Sequence, residues 1–274
     1  SRSVTMDELP ASLSGFVDAA EGSERTLLLV NRTEPRPLVE MLAEAFDDQS
    51  VTVEERQIPD GPEDLVCLVA DGAVVATTPL SALEEAFLLV NVDRYRTSTR
   101  QSERGTFPEV LTGLHDVEFV VSGFPAEAKE KLLLVVISRF IEHRALTAGS
   151  GELHSTFQRL SRLDDEYGTR RMYGWLGDSD VDTHVYGVDD DPDAVDGLGV
   201  TVHAGRTDEY RRSWVVVFTP DGDADLDSIP AATRDDTGGV ALVAVEIGPN
   251  VWRSVWTYDT ERVERIRAYM RERF

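Results

Sequence analysis

The sequence predicts a chain of two modules. An α/β module is expected over residues 1–122, and residues 123–274 are expected to form an α+β module with a largely antiparallel five-stranded sheet flanked by helices. Three observations predict this organisation. Apolar runs alternate with helical patterns in the first half, Ser122-Gly123-Phe124-Pro125 is typical of a boundary, and helices precede a series of strands in the second half. At 41% hydrophobic residues, the chain has enough apolar material for ordinary cores.

In the first half, a turn signal is the clearest local feature. Asp71-Gly72 separates the apolar runs Leu65–Ala70 and Ala73–Thr77, and an Asp-Gly pair in that position predicts a two-residue hairpin. The other predicted elements are a helix at Met6–Ala20, a strand at Thr26–Val30, a helix from Pro35 to about Phe46, a strand beginning at Val51–Val53, a helix at Pro79–Phe87, and strands at Leu88–Asn91, Tyr95–Thr99 and Asp116–Val121.

In the second half, helical spacing of apolar residues predicts helices at Ala126–Leu146, Leu153–Asp165 and Thr169–Leu176. Asp259 precedes a last amphipathic pattern that runs to Phe274, and its side chain is expected to cap that helix. Between these helices lie five strand candidates that are rich in β-branched and aromatic residues: Thr183–Gly187, Gly199–His203, Ser213–Phe218, Gly239–Ile247 and Val251–Trp256.

Charge is the strongest compositional signal. Aspartate and glutamate total 51 against 27 lysines and arginines, which gives a formal net charge of −24. Only Lys129 and Lys131 are lysines, so almost all of the positive charge is arginine. Dense carboxylates compete well for water at high salt, where their mutual repulsion is screened. The composition therefore predicts a halophilic protein, and it argues against direct nucleic-acid binding, which depends on clustered lysine and arginine.

Several features predict a soluble protein of the cytoplasm. Cys67 is the only cysteine, so an intrachain disulfide is excluded, and its apolar neighbours predict a buried thiol. No signal-peptide pattern opens the sequence. The longest apolar run, Leu132–Ile137, is far shorter than the roughly 20 residues of a membrane-spanning helix. No membrane association is expected.

Familiar catalytic and metal-binding patterns are absent from the sequence. It contains no P-loop, no G-x-S-x-G, no H-E-x-x-H and no C-x-x-C. The aspartates from Asp221 to Asp227 alternate as in a calcium loop, but Leu226 and Ala232 occupy the positions that need glycine and glutamate. The histidines are scattered along the chain, with none within four residues of another. No catalytic residue and no metal site are predicted, and the sequence identifies no cofactor.

The second half carries an unusual set of aromatic and polar residues on its predicted strands. Alternation places His184 with Tyr186, and Trp252 with Trp256, each pair on one face of its strand. Large rings usually pack in cores, but rings with polar tips can also line a small-molecule pocket. Both interpretations stay open at this point. For the second, the candidate ligand-binding residues are His184, Tyr186, Trp214, Trp252, Trp256 and Tyr258.

Four stretches of the second half resemble the DICT sensory domain family. Gly151 to Arg162 is similar to its helical signature; His184-Val185-Tyr186-Gly187, Trp214–Phe218 and Trp256-Thr257-Tyr258-Asp259 follow in the family's order and spacing. The likeness covers about residues 130–274. It implies a sensory module of the kind attached to diguanylate cyclases and two-component proteins, without established catalytic residues. Stand-alone members with an additional N-terminal region resemble haloarchaeal proteins.

The resulting expectation is a non-catalytic intracellular sensory or regulatory protein. Because no output domain follows the second module, its signal would pass to a signalling or regulatory protein partner, in response to a small-molecule ligand or to that partner. A scaffold without a ligand and an uncharacterised small-molecule enzyme are the alternatives. Apolar residues from Leu132 to Phe140 surround much of their helix, which predicts a homodimer through this helix or its neighbour Leu153–Asp165.

The charge balance predicts a strong dependence of stability on salt. Repulsion among the carboxylates should destabilise the fold at low ionic strength, and KCl should relieve it by screening. We expect the melting temperature to rise steadily from about 0.1 M to about 3 M KCl, measured by calorimetry or circular dichroism. A flat response over that range would contradict the interpretation of the sequence as halophilic.

Overall fold

The computed structural model describes residues 9–19, 24–33, 40, 51–92, 107–122, 132–165, 168–222 and 238–274. The strands within these ranges are β1 (Arg25–Val30), β2 (Val51–Arg56), β3 (Leu65–Ala70), β4 (Ala73–Pro79), β5 (Phe119–Ser122), β6 (Ser150–Arg159), β7 (Asp180–Val188), β8 (Thr201–Ala204), β9 (Ser213–Thr219), β10 (Val240–Gly248) and β11 (Val251–Thr257). The helices are α1 (Ser14–Asp18), α2 (Leu80–Val92), α3 (Glu109–Thr112), α4 (Leu132–Ala148), α5 (Arg162–Asp165), α6 (Thr169–Gly177), α7 (Asp208–Arg212) and α8 (Thr260–Arg273). The fold is mixed α/β with two sheets, which confirms the predicted class at that level.

Strands β1 to β4 form the smaller sheet, in the order β2-β1-β3-β4. The apolar runs of β1 and β3 supply its two middle strands, in which Leu27 and Leu68 are fully buried. The predicted hairpin is confirmed. Asp71 and Gly72 connect β3 to β4 with φ of 51° and 76°, the left-handed conformations that a type I′ turn requires.

The larger sheet has seven strands, in the order β5-β11-β10-β9-β6-β7-β8. All five strand candidates of the second half belong to it, as β7 to β11. The prediction of five strands is nevertheless wrong, because β5 adds an edge strand and β6 adds a central one. β6 and β7 are parallel, as are β7 and β8, whereas the other neighbours are antiparallel. Helices α5 and α6 lie in the crossover connection that the parallel pair β6–β7 needs.

Strand β6 occupies most of the segment that was predicted as the helix Leu153–Asp165. Leu153, Phe157 and Leu160 are spaced i, i+4 and i+7, which favours a helix, but the same segment also alternates in polarity. β6 bonds to β9 on one side and to β7 on the other, so the hydrogen bonds of two partner strands decide the conformation of an ambiguous segment. Only its end, Arg162–Asp165, is helical.

Strand β5 lies just before the predicted boundary, yet it joins the larger sheet. Its residues Phe119–Ser122 pair antiparallel with Val251–Ser254 of β11. The expectation that every strand before residue 123 belongs to a separate first sheet is therefore corrected. The division of the chain into modules at residues 122–125 stays a prediction.

Helix α4 lies at the centre of the fold. It covers β6, β9 and β10 of the larger sheet and also contacts α2 and α6. Leu134, Ile141 and Ala145 are fully buried, and the same core continues to Leu27 and Leu68 of the smaller sheet. The chain itself thus buries much of the apolar surplus from which a homodimer was predicted, and the second helix predicted for that interface is largely strand β6. The homodimer stays a prediction.

Helices α1 and α8 cover the opposite face of the larger sheet. Phe16 of α1 and Ile266 of α8 pack with Val215 and Val243, which point to this face from β9 and β10. Asp259 caps α8 as predicted, since its carboxylate accepts the backbone N–H of Arg262 at 2.8 Å. No helix among the described ranges is long and apolar enough to cross a membrane.

The remaining predictions concern short elements of the first half. Leu88–Asn91 lies within helix α2, so the strand predicted there is wrong, because the apolar run continues the helix that precedes it. The strand predicted at Tyr95–Thr99 lies outside the described residues, and so does the helix from Pro35 to Phe46 except for Glu40, which is helical. Of the helix predicted at Met6–Ala20, Ser14–Asp18 is helical.

Asp116 ties the loop before β5 to β11 and α8. Its backbone N–H donates to the carbonyl of Trp256 at 2.8 Å, and its carboxylate accepts Nη1 of Arg262 at 2.7 Å. Nδ1 of His115 lies 2.8 Å from the same carboxylate. Burial alone would raise the pKa of Asp116, but hydrogen bonds from His115 and Thr257 and the charge of Arg262 outweigh it and hold the pKa below its ordinary value.

Replacing Asp116 with Asn should remove a pH-dependent part of the stability. Because the folded-state pKa lies below the unfolded value, the carboxylate stabilises the fold above the unfolded pKa of about 3.9, and this contribution disappears as the pH falls through the folded-state pKa. The difference in unfolding free energy between wild type and Asp116→Asn should therefore shrink as the pH falls from about 5 to about 2. Urea titrations at several pH values measure this difference, and a constant value would contradict the role given to Asp116.

Candidate functional site

The six residues predicted to form one ligand-binding wall lie on opposite faces of the larger sheet. Trp214, Trp252, Trp256 and Tyr258 belong to the core beneath α4. Tyr186 belongs to the core beneath α1 and α8, and His184 lies on the same face of β7 because it is two residues from Tyr186. Strands β10, β9 and β6 separate β11 from β7. The two groups therefore do not converge on one pocket.

The rings on the α4 face are interlocked with one another and with the helix. The ring of Phe140 in α4 meets Trp256 and Tyr258 edge-to-face, at centroid distances of 6.1 and 6.5 Å. Trp214 and Trp252 meet in the same manner at 6.2 Å. Trp252, Trp256 and Tyr258 are each no more than 3% exposed. These three side chains fill the core, which is the packing alternative that the sequence left open.

The hydroxyl of Tyr258 is buried without a hydrogen-bond partner among the described residues. The guanidinium of Arg144 lies over the Tyr258 ring, with Cζ 5.6 Å from the ring centroid, so a cation–π contact stabilises the ring but leaves the hydroxyl unpaired. Burial raises the pKa of Tyr258 well above its ordinary value, although the Arg144 charge opposes the shift. The hydroxyl therefore stays protonated, and its burial costs stability.

A small cavity of about 40 Å³ lies between α4, β6, α6 and β9. By volume it can hold roughly three water molecules. Its wall combines apolar side chains with buried polar groups, and of the predicted site residues only Trp214 reaches it. Representative lining residues are Val135, Glu142, Thr156, Gln158, Tyr173 and Trp214.

Glu142 is the charged centre of the cavity wall. This residue is only 4% exposed, and its carboxylate accepts the hydroxyl of Tyr173 at 3.0 Å and Nη1 of Arg139 at 2.8 Å. Nη2 of Arg139 donates to Oγ1 of Thr169 at 2.5 Å, which fixes the guanidinium against α6. Burial, followed by the negative charge of Glu142, raises the pKa of Tyr173. The carboxylate is thus paired and hydrogen-bonded, as a buried charge must be.

Gln158 enters the cavity wall at an irregularity of β6. The pairing of β6 with β7 shifts register between Thr156 and Arg159, and Gln158 adopts a left-handed φ of 51° although it is not glycine. Its amide Nε2 donates to the carbonyl of Ser213 at 2.5 Å, and its Oε1 accepts a bond from Arg162. Such bulges redirect side chains beside functional sites. The left-handed backbone costs about 1–3 kcal/mol, which the hydrogen bonds of the Gln158 side chain help to offset.

On the opposite face of β6 and β7, three histidines that are distant in sequence form one cluster with Tyr186. His154 and His184 are direct partners in the parallel pairing of β6 and β7, and their rings stack at a centroid distance of 4.7 Å. His203 of β8 lies beside Tyr186, with ring centroids 4.4 Å apart. Burial lowers the pKa of His154, although Glu152 opposes the shift, and burial also lowers the pKa of His203. Lowered pKa values favour neutral imidazole rings at neutral pH.

No protein-family model matches the chain, and no curated protein matches it. The roles of the cavity and of the histidine cluster are therefore inferred from the positions and contacts of their residues alone. Both depend on β6, since this strand brings Thr156 and Gln158 to the cavity and His154 to the cluster.

The sequence missed these residues for an identifiable reason. Predicting a helix over Leu153–Asp165 hid the alternation of Glu152, His154 and Thr156, which marks one face of a strand. Pairing His154 with His184 also requires the register of two parallel strands. The available signal was the Glu-x-His alternation at residues 152–154 beside the Asp-x-His alternation at residues 182–184.

Two tyrosine variants should separate an unpaired buried hydroxyl from a paired one. Tyr258→Phe removes a hydroxyl without a partner, so we expect unchanged stability or a gain of up to about 1 kcal/mol. Tyr173→Phe removes the donor to buried Glu142, and we expect a loss of about 1–3 kcal/mol. Chemical denaturation at fixed KCl measures both values. The opposite order of stabilities would show that the bonding of the two hydroxyls is assigned wrongly.

Proposed function

We propose that this is a non-catalytic sensory or regulatory protein that binds a small polar molecule in the cavity beneath α4 and signals to a protein partner. The observation that carries the proposal is a cavity with buried charged and amide groups at the junction of two helices and the central sheet. Such a combination of apolar wall and few polar groups is typical of small-molecule sites. A core built for stability alone has no need of a buried carboxylate or of the strained backbone at Gln158.

The size of the cavity connects binding to movement. A volume of about 40 Å³ accommodates a few water molecules but not a metabolite, so a ligand must displace part of the wall. The movable walls are α4 and α6, since β6 and β9 are bonded on both sides within the sheet. Helix α4 also contacts α2, which follows the smaller sheet in the chain. Displacement of α4 would therefore alter the surface of the first module, where a partner can detect it.

The polar groups of the wall indicate the chemistry of the ligand. When the wall opens, a hydrogen-bond donor of the ligand would compete with Tyr173 and Arg139 for the carboxylate of Glu142. An anionic or carbonyl oxygen would compete for the guanidinium groups of Arg139 and Arg162. The rings of Phe157 and Trp214 flank these groups and favour a planar ligand. A small planar molecule that carries both an acidic group and N–H donors suits this wall.

The resemblance to DICT sensory domains supports the same class of function. Of the stretches that carry the resemblance, His184–Gly187 lies in β7 and Trp256-Thr257 in β11, whereas Tyr258 and Asp259 follow β11, and the stretch likened to a helical signature forms β6. The charge of −24 favours a protein partner over nucleic acid and supports a salt-rich cytoplasm as the setting. The close packing of Trp252, Trp256 and Tyr258 favours one rival, a scaffold without a ligand.

A cavity-filling variant tests the proposal. Val216 of β9 is buried and lines the cavity, so Val216→Ile should fill part of it without removing any hydrogen bond. We expect some members of a panel of amino acids, small carboxylic acids and nucleobases to raise the wild-type melting temperature by a few degrees. The same compounds should slow amide exchange in α4 and α6 and should lose their effect in Val216→Ile.

The matched control is Val202→Ile on edge strand β8, where the side chain is 38% exposed and distant from the cavity. This variant should respond to the same compounds as the wild type does. Equal binding by Val216→Ile would place the ligand elsewhere. The absence of any stabilising compound would favour the scaffold.

A further inference from the structure

Two carboxylates and two imidazoles form adjacent rungs across β6 and β7. Glu152 pairs with Asp182, and His154 pairs with His184 one rung further along the same face. Both histidines direct Nε2 toward the carboxylate rung: the distance is 2.6 Å from His154 to Glu152 and 3.2 Å from His184 to Asp182. One donor atom each from Glu152, His154 and His184 lies within 4.8 Å of the others.

The other nitrogens of both rings are held by neighbouring side chains. Nδ1 of His154 lies 2.8 Å from the hydroxyl of Tyr186, and Nδ1 of His184 lies 2.9 Å from Nε2 of His203. Metal-binding histidines in proteins generally use one nitrogen for the ion while a partner fixes the other. The cluster already has this arrangement on both rings, with the two Nε2 atoms left to face the carboxylates.

From these contacts we propose that Glu152, His154 and His184, with Asp182 as a fourth ligand, bind a divalent transition-metal ion such as Zn²⁺. This site lies on the face of the sheet opposite the cavity and goes beyond the proposed sensory function. Tetrahedral Zn²⁺ with Zn–N bonds of about 2.0–2.1 Å needs its ligand atoms about 3.3 Å apart. Binding would therefore separate Nε2 of His154 from Oε1 of Glu152, which now lie 2.6 Å apart, and would draw the more distant ligand atoms together by up to about 1.5 Å.

Burial and access fit a metal site that opens to solvent on one side. The His154 side chain is fully buried, whereas Glu152 and His184 are 17% and 18% exposed. The Asp182 side chain is 69% exposed and marks the side from which an ion can enter. Imidazole ligands favour Zn²⁺, Co²⁺ or Ni²⁺, whereas Mg²⁺ and Ca²⁺ prefer sites built from oxygen alone.

Two arginines of α8 should weaken the binding of a metal ion at this site. Nη1 of Arg267 and Nη1 of Arg271 lie 3.4 and 3.6 Å from Oε2 of Glu152, which leaves Oε1 directed at His154. Arg267 is also paired with Glu264 at 2.6 Å, whereas the Arg271 side chain is 59% exposed. A bound cation would be repelled by both guanidiniums, so removing Arg271 should strengthen binding. A purely structural role of the cluster would not give this result.

The test titrates Zn²⁺ into chelator-treated full-length protein at fixed KCl, with Co²⁺ absorption as a second readout. We expect a dissociation constant tighter than about 10 μM for Zn²⁺ and a far weaker response to Mg²⁺ and Ca²⁺. Both His184→Ala and Glu152→Gln should lose affinity by about 100-fold or more, and Tyr186→Phe by about 10-fold. Arg271→Gln should gain affinity severalfold.

His143→Ala is the matched control, since this histidine lies on α4 and its ring nitrogen contacts only Thr147 among the bonds described for it. It should bind Zn²⁺ as the wild type does. Where a ligand variant fails to fold, imidazole nitrogen shifts of the wild type decide: Zn²⁺ should move the signals of His154 and His184 but not that of His143. Zn²⁺ binding that is absent, or that survives both His184→Ala and Glu152→Gln, would overturn the proposal and leave only adventitious binding to the acidic surface.

Discussion

The two-sided burial of β9 and β10 is the constraint on which the rest of the structure depends. Val216 and Leu242 point to one face of these strands, Val215 and Val243 point to the other, and all four are almost completely buried. A strand that is apolar on both faces needs a layer of helices on each side. Helix α4 supplies the first layer, and α1 and α8 supply the second. The position of α4 then determines how the smaller sheet is attached, because that sheet reaches the shared core through the same layer.

Strand β6 stands beside this apolar centre but carries polar side chains on both faces. Gln158 lines the cavity wall, whereas His154 and Glu152 face the other way. Polar groups so close to a core must find partners, and here they find them in helices from opposite layers: Arg162 follows β6, and Arg267 lies in α8. β6 thus carries four buried polar residues, His154, Ser155, Thr156 and Gln158, whereas β9 beside it and β10 beyond that supply mainly apolar packing.

Local patterns predicted much of the fold and little of the candidate site. The apolar runs of β1, β3, β9 and β10 are recognisable because they are short and rich in leucine and β-branched residues. The helix α8 is recognisable from its amphipathic pattern and from Asp259 at its start. β6 was predicted as a helix because Leu153, Phe157 and Leu160 fit a helical period, and only pairing with β7 and β9 decides otherwise. The cavity and the histidine cluster could not be predicted for the same reason: each combines residues from several elements, and their proximity depends on strand register rather than on spacing along the chain.

The edge pairing of β5 with β11 has a consequence for how the chain folds. Phe119–Ser122 and Val251–Ser254 are about 130 residues apart in sequence. Likewise, β6 can pair with β9 only after β7 and β8 have been synthesised. Pairings of such long range close slowly, because the entropy of a large loop must be lost before any contact forms. A nascent chain therefore exposes the apolar strand β5 on the ribosome until nearly all of the larger sheet exists. That interval is a period of aggregation risk, and the net charge of −24 counters it by keeping partly folded chains apart.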